Sequence, residues 1–151
     1  MKIRSALMHD AQKIQVLVNT YASKGQMLQL SINDIYEKIF EFLVCEKEGE
    51  VIGVAALHPS WVDLAEIRSL VVNEKSQKKG IGLALVQAQL ERAKNLGIPK
   101  VFTLTYSVDF FTKAGFKTIP MESLPKKIWT DCLKCVKFPE CDETAMEIAL
   151  V

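Results

Sequence analysis

Hydrophobic and polar residues follow one another along this chain in patterns that predict a definite order of strands and helices. The stretch KIRSAL predicts a first strand. Apolar residues spaced three and four apart then predict a helix that begins at Ala11, after Asp10 as its N-cap, and ends at Gly25. Ser31 with Asp34 three positions later resembles a capping box, which predicts the start of a second helix.

The middle of the chain is predicted to be rich in strands. FEFLVCEK and EVIGVAALH are two strand patterns joined around residues 48–50, which predicts a hairpin, and VDLAEIRSLVV is a third extended run. A helix follows a glycine-containing turn and ends at Gly97 and Pro99. KVFTLTY then predicts a strand, DFFTKAGF a short helix that closes on Gly115, and ETAMEIAL a last strand.

This order predicts an α+β fold with a mixed, mostly antiparallel sheet flanked by helices. The strand, crossover helix and strand around Gly80 and Gly97 should form a central parallel pair, whereas the hairpin is antiparallel. The chain shows no internal repeat, low-complexity tract or linker. Residues 1–151 are therefore expected to form one domain.

Composition and charge narrow the classes of partner. Hydrophobic residues make up 49% of the 151 residues and charged residues 25%, which is typical of a globular domain. The formal net charge is +1, so neither nucleic acid nor a membrane is expected as a partner. No apolar run approaches the ~18 residues of a spanning helix. The start, MKIRSALMHD, shows no signal-peptide core, and a cytoplasmic location is expected.

The turn QKKGIG, residues 77–82, lies between a predicted strand and a predicted helix. The first N–H groups of a helix have no partner inside it, and the helix dipole places partial positive charge there. Gly80 and Gly82 lack a Cβ, so a diphosphate could approach the backbone, and Lys78 and Lys79 would add charge. The turn matches neither a Walker A loop nor a Rossmann fingerprint. These residues alone leave two interpretations open, a phosphate site and a solvated basic turn.

With its neighbours, the turn resembles the GNAT superfamily of acetyl-CoA-dependent N-acetyltransferases. Their signature [RQ]-x-x-G-x-[GA], between the fourth strand and third helix, is matched at every fixed position by QKKGIG. A second block, an aromatic-rich helix ending in x-G-F, is met by FFTKAGF, and the order of elements also agrees. The resemblance covers nearly the whole chain and implies a GNAT-like fold. Members are often dimers, although no stretch of this chain shows an interface by itself.

The resemblance also implies how acetyl-CoA binds as co-substrate. Its pyrophosphate would lie on the glycine turn, and its pantetheine arm would pair with the backbone of the preceding strand as another strand would. The coenzyme-binding residues implied in this way are Leu70, Val71, Val72, Gln77, Lys78, Lys79, Gly80, Ile81, Gly82 and Leu83.

Acetyl transfer to an amine requires the neutral amine, and a carboxylate that accepts the proton helps. Glu66 lies inside an apolar run, where strand alternation places it with Leu64, Leu70 and Val72 and where an unpaired charge would be costly. The alternative is that Glu66 only pairs with a neighbour such as Arg68. The resemblance, in which this strand carries a glutamate, implies Glu66 as the base.

The group that protonates the leaving thiolate is less defined. Many relatives carry a tyrosine five residues before the final Phe of the x-G-F block, but Phe111 stands there and has no proton to give. A hydroxyl of Ser107 or Tyr106 could act instead, and we prefer Ser107. The alternative is that either residue only satisfies backbone groups at the strand end.

Within the superfamily, the chain most resembles the acetyltransferase domain of N-acetylglutamate synthase and its short bacterial relatives. AALHP, AEIRSLVV, VFTLTYSVDFFTKAGF and ESLPKKIW carry this resemblance. It implies transfer to the α-amine of a small amino acid, in the setting of arginine biosynthesis. Leu30 stands where an arginine for the acceptor's carboxylate is expected, so either Arg68, Lys126 or Lys127 replaces that arginine or the acceptor is not glutamate. Alternatives are a polyamine, antibiotic or protein amine as acceptor, or a non-catalytic acetyl-CoA-binding module.

The stretch CLKCVKFPEC places Cys132, Cys135 and Cys141 in a C-x2-C-x5-C pattern. Three thiols approach the tetrahedral ligand set of a structural Zn²⁺. The alternative is a set of reduced thiols that pack a loop. Candidates for a fourth ligand are Cys45, His58 and Asp142.

Overall fold

The computed structural model describes residues 1–22, 29–125 and 143–150. These residues form a sheet with α-helices on both faces. The strands are β1 (Lys2–Ser5), β2 (Phe42–Lys47), β3 (Glu50–Trp61), β4 (Leu64–Val72), β5 (Lys100–Thr105), β6 (Lys117–Thr118) and β7 (Thr144–Ala149). The helices are α1 (Ala11–Ala22), α2 (Ile32–Glu37), α3 (Ile81–Asn95) and α4 (Val108–Lys113).

The strand order is β1-β2-β3-β4-β5-β7-β6, and every neighbouring pair is antiparallel except β4 and β5. In that parallel pair Ala65 faces Val101 and Glu66 faces Phe102. Helix α3 makes the crossover between them. The predicted mixed sheet, its central parallel pair and its antiparallel hairpin are thereby confirmed.

The two faces of the sheet carry separate hydrophobic layers. Helices α1 and α2 cover one face, where Ile14, Val18 and Ile35 are fully buried against β2, β3 and β4. Helix α3 covers the other face through Leu85 and Val86. We call these the α1/α2 face and the α3 face.

The start of the first helix differs from the prediction. Asp10 ends a 3₁₀ turn, Met8–Asp10, that runs directly into α1, so it is not the N-cap. Its carboxylate accepts a hydrogen bond from the N–H of Leu7 at 2.7 Å and two from the guanidinium of Arg4 at 2.8 and 3.0 Å. The prediction that Asp10 caps α1 was wrong, because its carboxylate accepts from the N–H of Leu7, one turn earlier in the chain, and not from an N–H of α1. The predicted helix end, Gly25, lies outside the described residues.

The second helix begins as predicted, since Ser31 Oγ accepts a hydrogen bond from the N–H of Asp34 at 3.1 Å. Strand β6 was not predicted. It has two residues, and alternation cannot be recognised over so short a stretch.

A β-bulge interrupts β4 in its second half. β4 contributes two residues, Ser69 and Leu70, where β3 contributes one, Ala55. Ser69 has φ +54°, in the left-handed region that residues other than glycine rarely adopt. The extra residue reverses the alternation of side chains along the rest of the strand.

The reversal corrects one prediction about Glu66. Glu66 and Leu64 lie on the α1/α2 face, but Leu70 and Val72 pack with α3 on the opposite face. The predicted common face was wrong because alternation with a period of two holds only as far as the bulge. The carboxylate therefore lies on the α1/α2 face, and the apolar end of β4 supports α3.

Candidate active site

The turn between β4 and α3 has the backbone of an anion-binding loop. Lys78 has φ +66° and Gly80 has φ +80°, so left-handed residues alternate with others. Such alternation makes successive N–H groups converge on a concave surface. Residues 77–80 are exposed, and a Cβ at Gly80 would meet nothing within 4 Å. An anion can therefore approach the backbone of the turn from solvent.

The start of α3 adds N–H groups to this surface. The first bond that leads into the helix runs from Ala84 N–H to the carbonyl of Gly80 at 3.0 Å. The N–H groups of Ile81, Gly82 and Leu83 therefore have no carbonyl within the helix, and Gly80 offers no capping side chain. The first turn also holds no acidic residue, so nothing there opposes a bound anion.

The second glycine of the signature has a different use. A Cβ at Gly82 would lie 3.3 Å from two ring carbons of Phe110 and 3.7 Å from a methyl of Val72. Gly82 therefore lets α3 pack closely against α4 and β4. The Cα of Gly82 is turned toward Phe110 and Val72, while its backbone N–H is one of the unpaired groups at the start of α3.

Gln77 holds the turn to the rest of the molecule. Its amide donates to the carbonyl of Val72 at 2.9 Å and to the hydroxyl of Tyr21 at 3.0 Å, and that hydroxyl donates to the same carbonyl at 3.1 Å. The side chain thus ties the turn to the end of β4 and to α1. A pantetheine amide that donated to the Val72 carbonyl would have to displace one of these donors.

Beyond Glu66, the edge of β4 that faces β5 is no longer paired with the backbone of β5 in the described residues. Within the described chain, backbone pairing of these strands reaches Glu66 and Phe102 and goes no further. The next carbonyl of β4, that of Ile67, accepts instead from the side-chain hydroxyl of Thr103 at 3.0 Å. An extended amide chain can pair with a strand edge of this kind. The predicted pantetheine residues Leu70 and Val71 lie on that edge.

Glu66 lies where the two strands part. Its side chain is 10% exposed, and its carboxylate accepts a hydrogen bond from Nε of Arg68 at 2.7 Å. The ring of Phe102, fully buried, faces it from β5. The pairing with Arg68 that the sequence suggested is therefore present, and it satisfies a largely buried charge.

Two further titratable side chains lie beside Glu66. His58 of β3 faces Glu66 across the ladder, and its Nδ1 lies 3.0 Å from Oε2 of Glu41, just before β2. The sequence suggested His58 only as a metal ligand and did not single out Glu41. Their proximity depends on the register between strands, which alternation alone does not specify.

Ser107 lies at the C-terminal end of β5 and begins α4. Its N–H donates to Thr105 Oγ1 at 2.8 Å, while its own side chain is exposed and makes no capping bond. Phe111 is buried, with its ring edge-on to Phe110 and Phe116 at 5.0 and 5.1 Å. Phe111 therefore belongs to the core. An acid role for Ser107 stays a prediction.

Leu30 has a structural role. Its N–H donates to the side chain of Asn19 at 3.0 Å, and its carbonyl accepts from Asn19 at 3.2 Å and from Gln15 at 3.3 Å. Its side chain packs against the hydrophobic layer of α1 and α2. Neither the backbone nor the side chain of Leu30 offers a cation to an acceptor's carboxylate.

The predicted cysteine site and the two lysines of the PKK segment cannot be placed in the fold. Among residues 1–22, 29–125 and 143–150, no group of three His, Cys, Asp or Glu side chains could hold a metal ion. Cys45 is buried between β1 and β3, and burial raises the pKa of its thiol. Outside the described residues lie Lys126, Lys127, Cys132, Cys135, Cys141 and Asp142.

No helix in the described part of the chain combines the length and apolar character needed to cross a membrane.

Known proteins share both the sequence and the fold. The sequence profile of the acetyltransferase (GNAT) family matches residues 11–116. An uncharacterized N-acetyltransferase of Chlorobaculum tepidum is 42% identical over 144 residues, which cover 95% of this chain and 93% of that protein. An amino-acid acetyltransferase of Mycobacterium tuberculosis is 39% identical over 120 residues, which cover 78% and 68%.

Among solved structures, N-acetylglutamate synthase from Neisseria gonorrhoeae, complexed with coenzyme A and N-acetyl-glutamate, superposes with a TM-score of 0.91 at 26% identity. The match covers 99% of this chain and 35% of the synthase, so the chain is similar to one part of that longer protein. Both the superfamily resemblance and the likeness to N-acetylglutamate synthase are thereby confirmed. With more than half of its length matched by the family profile, this chain belongs to the acetyltransferase (GNAT) family.

Proposed function

We propose that this protein transfers acetyl from acetyl-CoA to the α-amine of a small amino acid. The observation that carries the proposal is one strand: β4 presents Glu66 at the point where β5 departs, and the turn that follows β4 leads to the uncapped start of α3. A coenzyme held at one end of β4 would bring its thioester beside the carboxylate at the other. The named amino-acid acetyltransferases among the relatives support a small amino acid as acceptor.

In this proposal the diphosphate lies on the N–H groups from Gly80 to Leu83, where the dipole of α3 adds to hydrogen bonding. Lys78 and Lys79 lie within the turn and offset the remaining negative charge of the diphosphate. The pantetheine amides pair with the free edge of β4 at Leu70 and Val71. Gln77 acts by fixing the turn, since its amide is held within the protein.

The chemistry begins with the acceptor's ammonium group. Its N–H bond breaks, the proton moves to the Glu66 carboxylate, and the neutral amine attacks the thioester carbonyl. The tetrahedral intermediate collapses with loss of the CoA thiolate, which takes the proton of the Ser107 hydroxyl at the end of β5. The second proton of the acceptor nitrogen restores that hydroxyl, so one proton remains on Glu66 for each acetyl group transferred. Arg68, bound to Glu66, places a cation beside the acceptor and replaces the arginine that Leu30 does not provide.

Release of free CoA thiol tests this function directly. The protein is mixed with acetyl-CoA and a panel of free amino acids that includes glutamate, beside Glu66→Gln. We expect release with one amino acid and a loss of about 10²–10⁴ in kcat for the variant. Protein thiols are subtracted with a blank without acceptor. Coenzyme binding without release for any amine would contradict the function and indicate a binding module.

The pathway, the location, the oligomeric state, the partners and the metal are proposals as well. We propose a role in arginine biosynthesis, a cytoplasmic location, a homodimer, and the absence of nucleic-acid or membrane partners. Zinc held by Cys132, Cys135 and Cys141 is proposed from their spacing alone. Metal analysis of the purified protein, beside Cys132→Ser, tests the zinc, and an equal metal content in both proteins would contradict it.

A further inference from the structure

Three titratable side chains form a row across neighbouring strands of the α1/α2 face. Glu41 precedes β2, His58 lies on β3, and Glu66 lies on β4. His58 and Glu66 face each other in the antiparallel ladder, so their Cβ atoms are about 5 Å apart on the same face. His58 therefore lies between the carboxylate of Glu41, 3.0 Å from its Nδ1, and the proposed base.

The partner of His58 decides which nitrogen of its ring carries the proton. A carboxylate can only accept a hydrogen bond, so in the neutral ring the proton is on Nδ1, beside Glu41, and the lone pair is on Nε2. In the part of the chain that the structure describes, Glu41 is the hydrogen-bonding partner of this ring. The nitrogen with the lone pair thus points away from Glu41 and is ready to accept a proton.

The side chain of His58 is more exposed than that of the proposed base. The side chain of Glu66 is 10% exposed, and that of His58 is 26% exposed. An acceptor and an acetyl-CoA bound beside Glu66 would cover that carboxyl further. The proton that Glu66 takes in each turnover must still leave before the next one. The imidazole offers it a path toward water.

The charged groups around Glu41, His58 and Glu66 favour proton transfer from Glu66 to His58. Arg68 donates to Glu66 at 2.7 Å and stabilises its ionised form. At the other end Arg92 of α3 donates to the backbone carbonyls of Phe40 and Glu41, and burial lowers the pKa of its guanidinium. A proton placed on Glu66 can therefore pass to the neighbouring imidazole, where the Glu41 carboxylate lies beside the resulting cation.

We propose that His58 is the second proton carrier of the acetyl transfer and that Glu41 is its positioning residue. The proposal rests on the proposed function. After the acceptor's ammonium has given its proton to Glu66, the Glu66 O–H bond breaks and an N–H bond forms at His58 Nε2. The resulting imidazolium, held by Glu41, releases the Nε2 proton to solvent. The carboxylate and the neutral ring are then restored for the next turnover.

Substitution of His58 with chemical rescue tests the proton path. His58→Gln keeps a polar side chain beside Glu41 but cannot carry a proton, and we expect kcat to fall about tenfold or more. The KM for acetyl-CoA should stay within about twofold, because the glycine turn is unchanged. His58→Ala should lose as much, and added imidazole should restore its kcat in proportion to concentration. Glu41→Gln should fall between wild type and His58→Gln.

The second histidine of the chain supplies a matched control. His9 is 70% exposed on the turn before α1, so His9→Gln should behave as wild type. No thiol release by the wild-type protein with any amine would overturn the proposed function. Turnover by wild type together with a kcat of His58→Gln within about twofold of it would overturn only the proton path. A His58→Ala variant that imidazole does not restore would overturn it as well.

Discussion

The glycine turn can be tested by adding one methyl group. Gly80 has φ +80° with open space around the position of a Cβ, so Gly80→Ala introduces backbone strain and no clash. Gly97, just after the C-terminal end of α3, has φ +78° and the same open surroundings. Gly97→Ala therefore applies the same strain at the opposite end of α3 from the proposed coenzyme site. The pair separates an effect on folding from an effect on binding.

The size of both effects follows from the backbone. Holding an L-residue in the left-handed region costs about 1–2 kcal/mol, so each variant should lose that much stability. For a chain of this length the loss lowers Tm by roughly 2–8 °C. If Gly80→Ala relaxes into an ordinary conformation instead, the N–H groups around it turn away from the bound diphosphate. Because ~1.4 kcal/mol is a factor of ten, CoA should bind about 5- to 30-fold more weakly.

Urea unfolding and calorimetric titration with CoA measure the two quantities. We expect both variants to lose stability and only Gly80→Ala to lose affinity. Thermal protection by saturating CoA should shrink in parallel, since it depends on the ratio of ligand concentration to Kd. Equal CoA affinity in Gly80→Ala and wild type, together with unchanged stability, would refute the diphosphate site on this turn, because a relaxed turn would then bind CoA as well as the native one. Equal losses of affinity in both variants would show a general effect on the fold.

Two further predictions concern stability. Arg4 lowers the pKa of Asp10, so their pairing stabilises the fold above the ordinary carboxyl range near 4 and is lost as pH falls through the lower folded value. Asp10→Asn should cost roughly 1.5–3 kcal/mol at pH 7, because a charged hydrogen-bond acceptor is lost, and should flatten the acid limb of a curve of Tm against pH. An acid limb unchanged from wild type would contradict this. Gln89, fully buried, donates to the carbonyls of Ala55 at 2.7 Å and Glu41 at 3.0 Å. Gln89→Leu removes the donor to the Ala55 carbonyl and the acceptor of an Arg92 N–H, while Arg92 still donates to the Glu41 carbonyl. The variant should lower the free energy of unfolding by about 2–4 kcal/mol in urea, whereas a loss below about 1 kcal/mol would show that water replaces the amide.

The order of elements could be predicted because each long element carries its own periodicity. The spacing of Ile14 and Val18 identifies the buried side of α1, and that of Leu85 and Val86 the buried side of α3. The parallel pair followed from the strand–helix–strand order alone. These features are local, so a single sequence contains them.

The arrangement around Glu66 could not be predicted, because it depends on contacts between distant strands. No glycine or proline marks the bulge, and Ser69 takes a positive φ where the register between β3 and β4 shifts. The pairing of His58 with Glu41 depends in turn on the register of β3. The glycine turn is a partial exception, since Gly80 favours a positive φ, whereas the positive φ of Lys78 is not indicated by its residue type.

The contacts of Gln77 explain which residues its position can tolerate. Its amide nitrogen donates to the carbonyl of Val72 and to the hydroxyl of Tyr21, so the position requires an N–H donor on a long side chain. Arginine meets that requirement, as the alternative in the family signature allows. A glutamate of the same length would set a carboxylate against the carbonyl oxygen, with two acceptors and no proton between them. Natural variation at this position should therefore follow hydrogen-bond donation rather than size or charge.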